Sequence, residues 1–164
     1  MQTNLTWKKG LFSSNYSIYS NGTLIGELRD KSFSQSAYGE MDGKKYVFKT
    51  KGFFKQHTDI IDASNGRIIG QISYNNWMTK ATISLNHKTV FWKYDNIWNS
   101  KWSIFDSEGT DVRYFSSSNK GSIESNSEDP LLILSGLFVT NYYVQMTIAV
   151  MVGVFVPIIT TLSN

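Results

Sequence analysis

The chain of 164 residues contains no cysteine, and this absence excludes disulfides, thiolate metal ligands and cysteine nucleophiles together. Histidine is also scarce, since His57 and His87 lie about thirty residues apart and belong to no metal-ligand motif. No Gly-x-Ser-x-Gly elbow and no phosphate-binding glycine loop is present. His57 and Asp59 could act as acid and base on one strand face, but a surface polar pair is the simpler interpretation. We therefore expect a protein without enzymatic activity, cofactor or metal.

Basic residues are absent from residues 121–164, whereas residues 1–120 contain all sixteen lysines and arginines and ten of the thirteen acids. The net charge of +3 permits weak attraction to anionic surfaces, but no block of consecutive basic residues occurs, so we expect no nucleic-acid partner. The candidate ligands for anionic phospholipid headgroups are Lys44, Lys45, Lys49, Lys88 and Lys93, with Lys51, Lys55 and Lys101 as further members. If several of them converge on one face, that face docks on an anionic membrane surface.

Charged side chains are missing altogether from residues 130–164. A helix that is apolar on all sides must be enclosed by protein or by lipid, so the run belongs either in the core of the protein's own β structure or in a bilayer. Residues 143–162 are long enough to span a hydrocarbon layer of about 30 Å. Against a simple membrane span, the whole run would be about 52 Å long as one helix, and the nearest basic residue is Lys120.

Short segments rich in β-branched and aromatic residues alternate with Gly, Asn, Asp and Ser clusters from Trp7 to about Glu124, which predicts an all-β region. The predicted strands are residues 4–8, 16–20, 23–29, 34–41, 45–50, 57–62, 67–73, 77–85, 88–94, 101–106, 110–115 and 120–124. Turns such as Asn21-Gly22 and Asp42-Gly43 indicate tight hairpins, so neighbouring strands should be antiparallel. A curling sheet of about twelve such strands is expected to close into a barrel, because closure removes exposed edges.

An internal repeat appears when the chain is compared with itself at a shift of 44 residues. Residues 21–28 align with 65–72, residues 44–49 align with 88–93, and a third copy begins near Trp102 and fades after Tyr114. This pattern favours about three units of four strands within one domain spanning residues 1–164. Gly26 and Gly70 occupy the same place in two strands, where they predict a bulge or bend rather than a ligand contact.

A barrel of eleven or twelve strands leaves room for a helix of about 10 Å diameter, and the uncharged run is the candidate to fill it. Residues 125–129 supply an N-cap region with acids in the first turn, followed by Pro130 near the first helical position. Asn141 predicts a bend between helical pieces over 130–140 and 142–158, and Pro157 would end or kink the second piece. The alternating valines of residues 148–156 fit a buried strand as well, which periodicity alone does not exclude.

The hairpins with Asn-Gly-x-x-Ile-Gly repeats, followed by a single apolar helix, resemble the tubby C-terminal-like superfamily, which includes phospholipid scramblases, LURP-one-related plant proteins and small bacterial relatives. The stretch Tyr143-Val-Gln-Met-Thr-Ile-Ala-Val-Met-Val-Gly153 is similar to the helix that ends scramblase domains. The resemblance implies a twelve-stranded antiparallel barrel closed around this helix. Because the uncharged run is longer than such a core helix, we expect residues 131–140 at the barrel mouth or against lipid. The residues it implies for the core helix are Tyr143, Val144, Met146, Ala149, Met151 and Gly153.

The same resemblance implies a non-enzymatic barrel that binds phospholipid headgroups or acts as a scaffold at a membrane. Neither a Pro- and Cys-rich N-terminal arm nor an acidic calcium loop after the helix is found, so calcium-dependent scrambling is not carried over. The alternative is a β domain that is anchored in a membrane by its C-terminal segment and mediates protein interaction. The N-terminal residues lack the pattern of a secretory signal, which favours a cytoplasmic location, with or without membrane association.

Overall fold

A computed structural model describes residues 2–31, 34–52 and 56–162, with side chains described as far as residue 153. It contains β1 (Thr3–Lys9), β2 (Asn15–Ser20), β3 (Thr23–Asp30), β4 (Ser36–Met41), β5 (Lys44–Lys51), β6 (His57–Asp62), β7 (Arg67–Tyr74), β8 (Lys80–Leu85), β9 (Thr89–Tyr94), β10 (Lys101–Phe105), β11 (Asp111–Ser117), β12 (Lys120–Ser125) and α1 (Pro130–Leu162). Every predicted strand is confirmed within a few residues. The largest difference is at β8, where the side chain of Asn75 accepts hydrogen bonds from the amides of Thr79 and Lys80 and so delays the strand.

The strands form a closed antiparallel barrel in which each strand pairs with the next in sequence and β1 pairs with β12. The hairpin turns have the backbone that the sequence predicted, since Asn21 and Gly22 have φ angles of 48° and 81°, and Asp42 and Gly43 have 51° and 77°. The predicted fold class, an antiparallel barrel of twelve strands around an apolar helix, is therefore confirmed.

Alternation of strand direction places the connections at two ends of the barrel. The connections β1–β2, β3–β4, β5–β6, β7–β8, β9–β10 and β11–β12 share one end, which we call the exit end. The other connections and the segment from β12 to α1 share the base end. The helix enters at the base end, just after Ser125, and leaves at the exit end, where Asn141 contacts Asp30 at the end of β3.

The repeat is visible in the strand pairing. Register shifts lie between Ile18 and Tyr19 in the β2–β3 pair and between Ile60 and Ile61 in the β6–β7 pair, directly after the residues that face Gly26 and Gly70. A Cβ added to Gly70 would lie 2.7 Å from Leu85 Cδ2 and 2.9 Å from the Ser84 carbonyl oxygen, so β8 approaches β7 closely beside this bulge. The bulge prediction for both glycines is confirmed.

The helix is one continuous element of 33 residues, so the predicted division into pieces over 130–140 and 142–158 is wrong, and the helix does not end at Pro157. Asp129 caps its start, because the Asp129 Oδ1 atom accepts a hydrogen bond from the Leu131 amide at 3.0 Å. Two wall residues hold the buried half in place. Tyr114 donates its hydroxyl to the Leu132 carbonyl at 2.9 Å, and Trp92 donates its indole N–H to the Gly136 carbonyl at 3.3 Å.

The half of the helix that fills the barrel is not the predicted one. Residues 130–141 and Tyr143 are buried, whereas Val144 is 40 % exposed, Met151 is 54 % exposed, Ala149 and Gly153 are exposed and Met146 is half-buried. Of the predicted core-helix residues only Tyr143 is therefore a fully buried core residue. The prediction that residues 131–140 lie at the barrel mouth or against lipid is also wrong.

The connection between β12 and the helix explains this reversal. Only residues 126–129 separate the end of β12 from Pro130, so the first helical turns have to lie inside the barrel. Strands of five to eight residues rise about 16–26 Å along their length and tilt against the barrel axis. The buried stretch, Pro130 to Tyr143, is about 21 Å long at 1.5 Å per residue, which is all that a wall of this height encloses.

Candidate functional site

A buried carboxyl group lies where the helix leaves the barrel. Asp30 is 7 % exposed, and its Oδ2 atom accepts hydrogen bonds from Asn141 Nδ2 at 2.7 Å and Gln145 Nε2 at 3.0 Å. Burial raises the pKa of Asp30, and the two amide donors oppose the rise. Because the donors are neutral, this contact ties the helix to the end of β3 through polar groups rather than an ion pair.

Tyrosine side chains of the helix and of the barrel wall contact each other at the same level. The Tyr142 ring stacks on the Tyr74 ring with centroids 3.9 Å apart, and the Tyr142 hydroxyl donates to Gln56 Oε1. Tyr143 donates its hydroxyl to the Lys80 carbonyl. Burial raises the pKa of Tyr142 to about 12 and that of Tyr74 well above its ordinary value, so both rings are neutral. These contacts connect the β5–β6 and β7–β8 connections directly to the helix.

A cavity of about 250 Å³ opens beside this contact zone. Its lining combines polar side chains, among them Asp30, Gln35, Gln56 and Gln145, with the Phe138 ring. Among the described residues, the lining contains one carboxylate and no basic group.

Two neighbouring connections at the exit end share one short motif, Asn-x-Trp-x-Thr/Ser-Lys, at residues 75–80 and 96–101. In each, the asparagine Oδ1 atom accepts two backbone amides: Asn75 from Thr79 and Lys80 at 2.9 and 3.0 Å, and Asn96 from Ser100 and Lys101 at 3.0 and 3.1 Å. Residues Met78 and Asn99 have nearly the same positive φ, 55° and 54°. The two loops are therefore the same turn built twice.

Each of these turns carries a tryptophan at its tip. Trp77 is 84 % exposed and Trp98 is 80 % exposed. Ile97 beside Trp98 and the pair Leu11 and Phe12 in the β1–β2 connection are similarly exposed. We call these five residues the apolar tips. Among the described residues, no base-end connection contributes an exposed large apolar side chain, although Leu24 and Ile68, near the base ends of β3 and β7, are 51 % and 56 % exposed.

Charge is also divided between the two ends. The exit-end connections and their flanking strand residues contain Lys9, Lys31, Lys51, Lys80, Lys101 and Lys120, against Asp30 and Asp95. The corresponding base-end segments contain Asp42, Asp62, Asp106, Glu108, Asp111, Glu128 and Asp129, against Lys44, Arg67 and Lys88. The six lysines, which we call the exit-end lysines, thus lie at the end where the helix leaves, and most of the acids in these segments lie at the opposite end.

The lysines predicted to bind headgroups do not converge on one face. Lys44, Lys45 and Lys88 lie at or next to the base end, on hairpins in different parts of the barrel, and Lys49 and Lys93 lie in the walls of strands four places apart in the barrel order. Several are engaged locally: Lys45 with Glu40 at 3.6 Å, Lys93 with Asp95 at 3.7 Å, and Lys88 with the Thr110 hydroxyl at 3.3 Å. Of the further members, Lys51 and Lys101 lie at the exit end, and Lys55 lies outside the described residues.

His57 and Asp59 lie on β6 with the His57 Nε2 atom 3.8 Å from Asp59 Oδ1. Asp59 is held by Lys51 at 2.6 Å and by Gln71 at 3.3 Å, and the hydrogen bond from Lys51 lowers the pKa of Asp59. The carboxylate is therefore committed to a salt bridge. Within the described ranges, no group of three or more His, Cys, Asp or Glu side chains is placed to hold a metal ion.

By length and composition, Pro130–Gly153 could cross a membrane, a test that buried core helices also pass, and 67 % of the qualifying window lies inside the barrel. Comparison of the chain with protein-family models, curated proteins and solved structures gives no match. The resemblance to the tubby C-terminal-like superfamily accordingly stays a prediction.

Sequence reasoning missed the apolar tips and the paired turns. The shift of 44 residues aligns whole strand units and hides the turn motif, which recurs after 21 residues. A search for short repeats within the predicted turns would have found Asn-x-Trp-x-Thr/Ser-Lys, and also Lys-Gly-Leu-Phe at residues 9–12 with Lys-Gly-Phe-Phe at 51–54, of which Phe53 and Phe54 lie outside the described residues. Each of these motifs places an aromatic residue near a lysine.

Proposed function

We propose that this protein is a non-enzymatic β-barrel held at a membrane by residues 144–162 of its helix, where it contacts lipid and serves as a scaffold. The single observation that carries the proposal is the exposure of Val144, Ile148, Val150, Met151 and Val152 outside the barrel. They belong to a helix that carries no charged side chain. Such a surface is stable when lipid or protein covers it and unfavourable in water.

The length of the exposed half agrees with a bilayer. Residues 144–162 extend about 28 Å at 1.5 Å per residue, close to the roughly 30 Å of a hydrocarbon core. The polar residues Gln145 and Thr147 lie next to the barrel. Thr147 donates a hydrogen bond from its hydroxyl to the Tyr143 carbonyl at 2.8 Å, which lowers the free-energy cost of burying this hydroxyl in lipid. Under this proposal, the two environments that the sequence allowed, protein core and bilayer, each hold one half of the same helix.

The predicted resemblance to the tubby C-terminal-like superfamily also supports the proposal, because some members of that superfamily associate with membranes. Headgroup binding by Lys44, Lys45, Lys49, Lys88 and Lys93 is not part of the proposal, since these residues are spread around the barrel. A scaffold role fits a surface on which no catalytic constellation is formed by the described residues.

The test uses the full chain with the exposed half of the helix made polar. Ile148, Met151 and Val152 are exposed, so replacing all three by lysine should leave the barrel folded. A lysine near the centre of a bilayer costs about 2.5–3.5 kcal/mol, so three of them abolish insertion. The expected result is that the unaltered chain stays with membranes after alkaline extraction, whereas the triple variant is released and keeps the circular dichroism spectrum of the barrel.

A control with the same charge distinguishes insertion from general solubility. Lysines at exposed Asn65, Asn86 and Ser107 of the base end add three charges away from the helix and should leave membrane retention unchanged. If the unaltered chain is monomeric in buffer without detergent and does not float with vesicles, the proposal is wrong.

A further inference from the structure

We propose that the exit end of the barrel is itself a membrane-docking face, which seats the apolar tips in the interfacial layer of an anionic bilayer and places the exit-end lysines among its headgroups. This inference rests on the proposed helical anchor and adds a defined orientation and lipid preference to it. Four independent features of the described residues support it.

The first feature is the absence of a linker between barrel and anchor. The helix runs without interruption from Pro130 inside the barrel to Leu162. If residues 144–162 span a hydrocarbon layer of about 30 Å, the exit end cannot stand away from the bilayer by more than about one helical turn, or 5 Å. The barrel is also fixed to the helix at the point of exit, by Asp30 through Asn141 and by Lys80 through Tyr143. Anchoring therefore brings the exit-end connections to the membrane surface.

The second feature is the chemistry of the tips. Tryptophan is the side chain most suited to the boundary between headgroups and acyl chains, because its ring is apolar and its N–H needs a polar partner. Trp77 and Trp98 are exposed on adjacent connections at this end, and Ile97, Leu11 and Phe12 extend the surface. A soluble barrel gains nothing from this exposure, since surface tryptophan contributes no packing.

The third feature is that the backbones of the two tryptophan turns are ordered. Asn75 and Asn96 each accept two backbone amides, which fixes both turns in one conformation, and both tryptophans are exposed. A turn whose backbone is already ordered loses little backbone entropy when its side chains insert, so the geometry favours docking. The same turn, with the same tryptophan and the same following lysine, occurs twice at one end of the molecule.

The fourth feature is charge complementarity. Lys51 is paired with Asp59 at 2.6 Å, and the other five exit-end lysines still outnumber the acids of the exit-end connections, while the base end is predominantly acidic. Each lysine near an anionic membrane surface is worth on the order of 1 kcal/mol, which corresponds to about fivefold in binding. No basic residue is adjacent to the apolar run in the sequence. The fold brings the exit-end lysines to the end where the helix leaves, from connections that are distant in the chain. This polarity favours an anionic bilayer over a neutral one.

The absence of cysteine makes the test direct. Single cysteines are introduced into the full chain at Leu11 or Ile97 on the exit end, at Ala63 or Asn86 on the base end, and at Val150 on the helix, all exposed positions. Each is labelled with an environment-sensitive fluorophore, and the protein is reconstituted into phosphatidylcholine vesicles with or without phosphatidylglycerol. We expect blue-shifted, lipid-shielded emission at Val150, Leu11 and Ile97 and aqueous emission at Ala63 and Asn86.

The outcomes separate the two proposals. A lipid signal at Val150 with aqueous signals at Leu11 and Ile97 overturns the docking face and leaves the anchor intact. Aqueous signals at all five positions overturn both. Shielding of Leu11 and Ile97 in the presence of a second protein but not of vesicles would assign the face to a protein partner and also overturns docking on lipid.

A matched pair of charge variants tests the lipid preference. Replacing Lys80, Lys101 and Lys120 by glutamine should reduce the extra shielding of the Ile97 label in phosphatidylglycerol vesicles to the level found in phosphatidylcholine alone. Replacing Lys44, Lys45 and Lys88 removes the same charge from the other end and should change nothing. Equal effects of the two triple variants would show that net charge, and not the exit-end position, governs the interaction, and would contradict the charge argument.

Discussion

Gly136 of the helix lies directly against Tyr114 of β11, so closely that a Cβ atom on Gly136 would be 2.2 Å from the tyrosine hydroxyl and 2.3 Å from its Cζ atom. The Tyr114 ring is fully buried, stacks on Trp102 with centroids 5.4 Å apart, and donates its hydroxyl to the helix backbone at Leu132. It has no free volume to move into. The helix backbone at Gly136 therefore packs directly against the Tyr114 side chain of the barrel wall.

A methyl group at this contact should weaken the whole barrel. We expect Gly136→Ala to lower the free energy of unfolding by about 1–3 kcal/mol, because the helix or Tyr114 has to shift in a packed core. Gly153→Ala on the same helix meets no atom within 4 Å and should cost nothing, since alanine favours a helix more than glycine does. Denaturant titration of both variants in detergent measures the difference. Equal stabilities would show that the helix is not seated as described.

Asp30 should make the stability of the barrel depend on pH. Its pKa is raised by burial, so the folded protein binds a proton more tightly than the unfolded chain does. Stability should therefore fall as the pH rises from the ordinary carboxyl pKa through the raised value, and should stay lower above it. Asp30→Asn carries no charge, and its oxygen can still accept from Asn141 and Gln145, which both donate to one atom of Asp30.

The measurement is the unfolding free energy of both proteins across the mildly acidic to neutral range. We expect Asp30→Asn to be the more stable at neutral pH and to lose this part of the pH dependence. Asp30→Ala is the control, because it removes the charge but leaves both amides without their acceptor and should be destabilising at every pH. An unchanged pH slope in Asp30→Asn would mean that another group is responsible.

The sequence predicted those parts of the structure that neighbouring residues determine. Strands and turns are specified by neighbouring residues, such as Asn21-Gly22 with its positive φ angles, and all twelve were located. The bulges at Gly26 and Gly70 could be predicted because the repeat contains the same strand glycine twice. Which half of the helix fills the barrel could not be predicted, because both halves are apolar and uncharged. Only the short connection after Ser125 decides which half is enclosed.

The exit end illustrates a different limit. Its tips and lysines come from connections separated by up to a hundred residues, and they become one surface only when alternation of strand direction brings them to the same end. The predicted headgroup lysines do not come together on one face for the same reason in reverse. Lys44 and Lys88 align in the repeat, yet equivalent positions in successive units lie around the circumference rather than side by side.

The turns and the tryptophans at the exit end should contribute differently to stability. Asn96→Ala removes the acceptor of two backbone amides and should cost about 1–2 kcal/mol. Trp98→Ser, two residues later, should change the free energy of unfolding by no more than about 0.5 kcal/mol, because the side chain packs against little. Denaturant titration in detergent compares them. A large loss in Trp98→Ser would indicate that the tryptophan has a structural role and would weaken its assignment to the membrane surface.

The two halves of the helix should respond in opposite ways to the same substitution. Leu134→Lys places an unpaired charge inside the barrel at a fully buried position, against Gly39 of the wall. Burying an ion without a partner costs several kcal/mol, which is comparable to the whole stability of a domain, so this variant should not fold. Val150→Lys lies outside the barrel, 51 % exposed, and should fold normally in detergent while losing affinity for membranes. Near-ultraviolet circular dichroism, which reports the packed tryptophans Trp7, Trp92 and Trp102, separates the two results. A folded Leu134→Lys together with an unfolded Val150→Lys would mean that residues 143–153 fill the barrel after all.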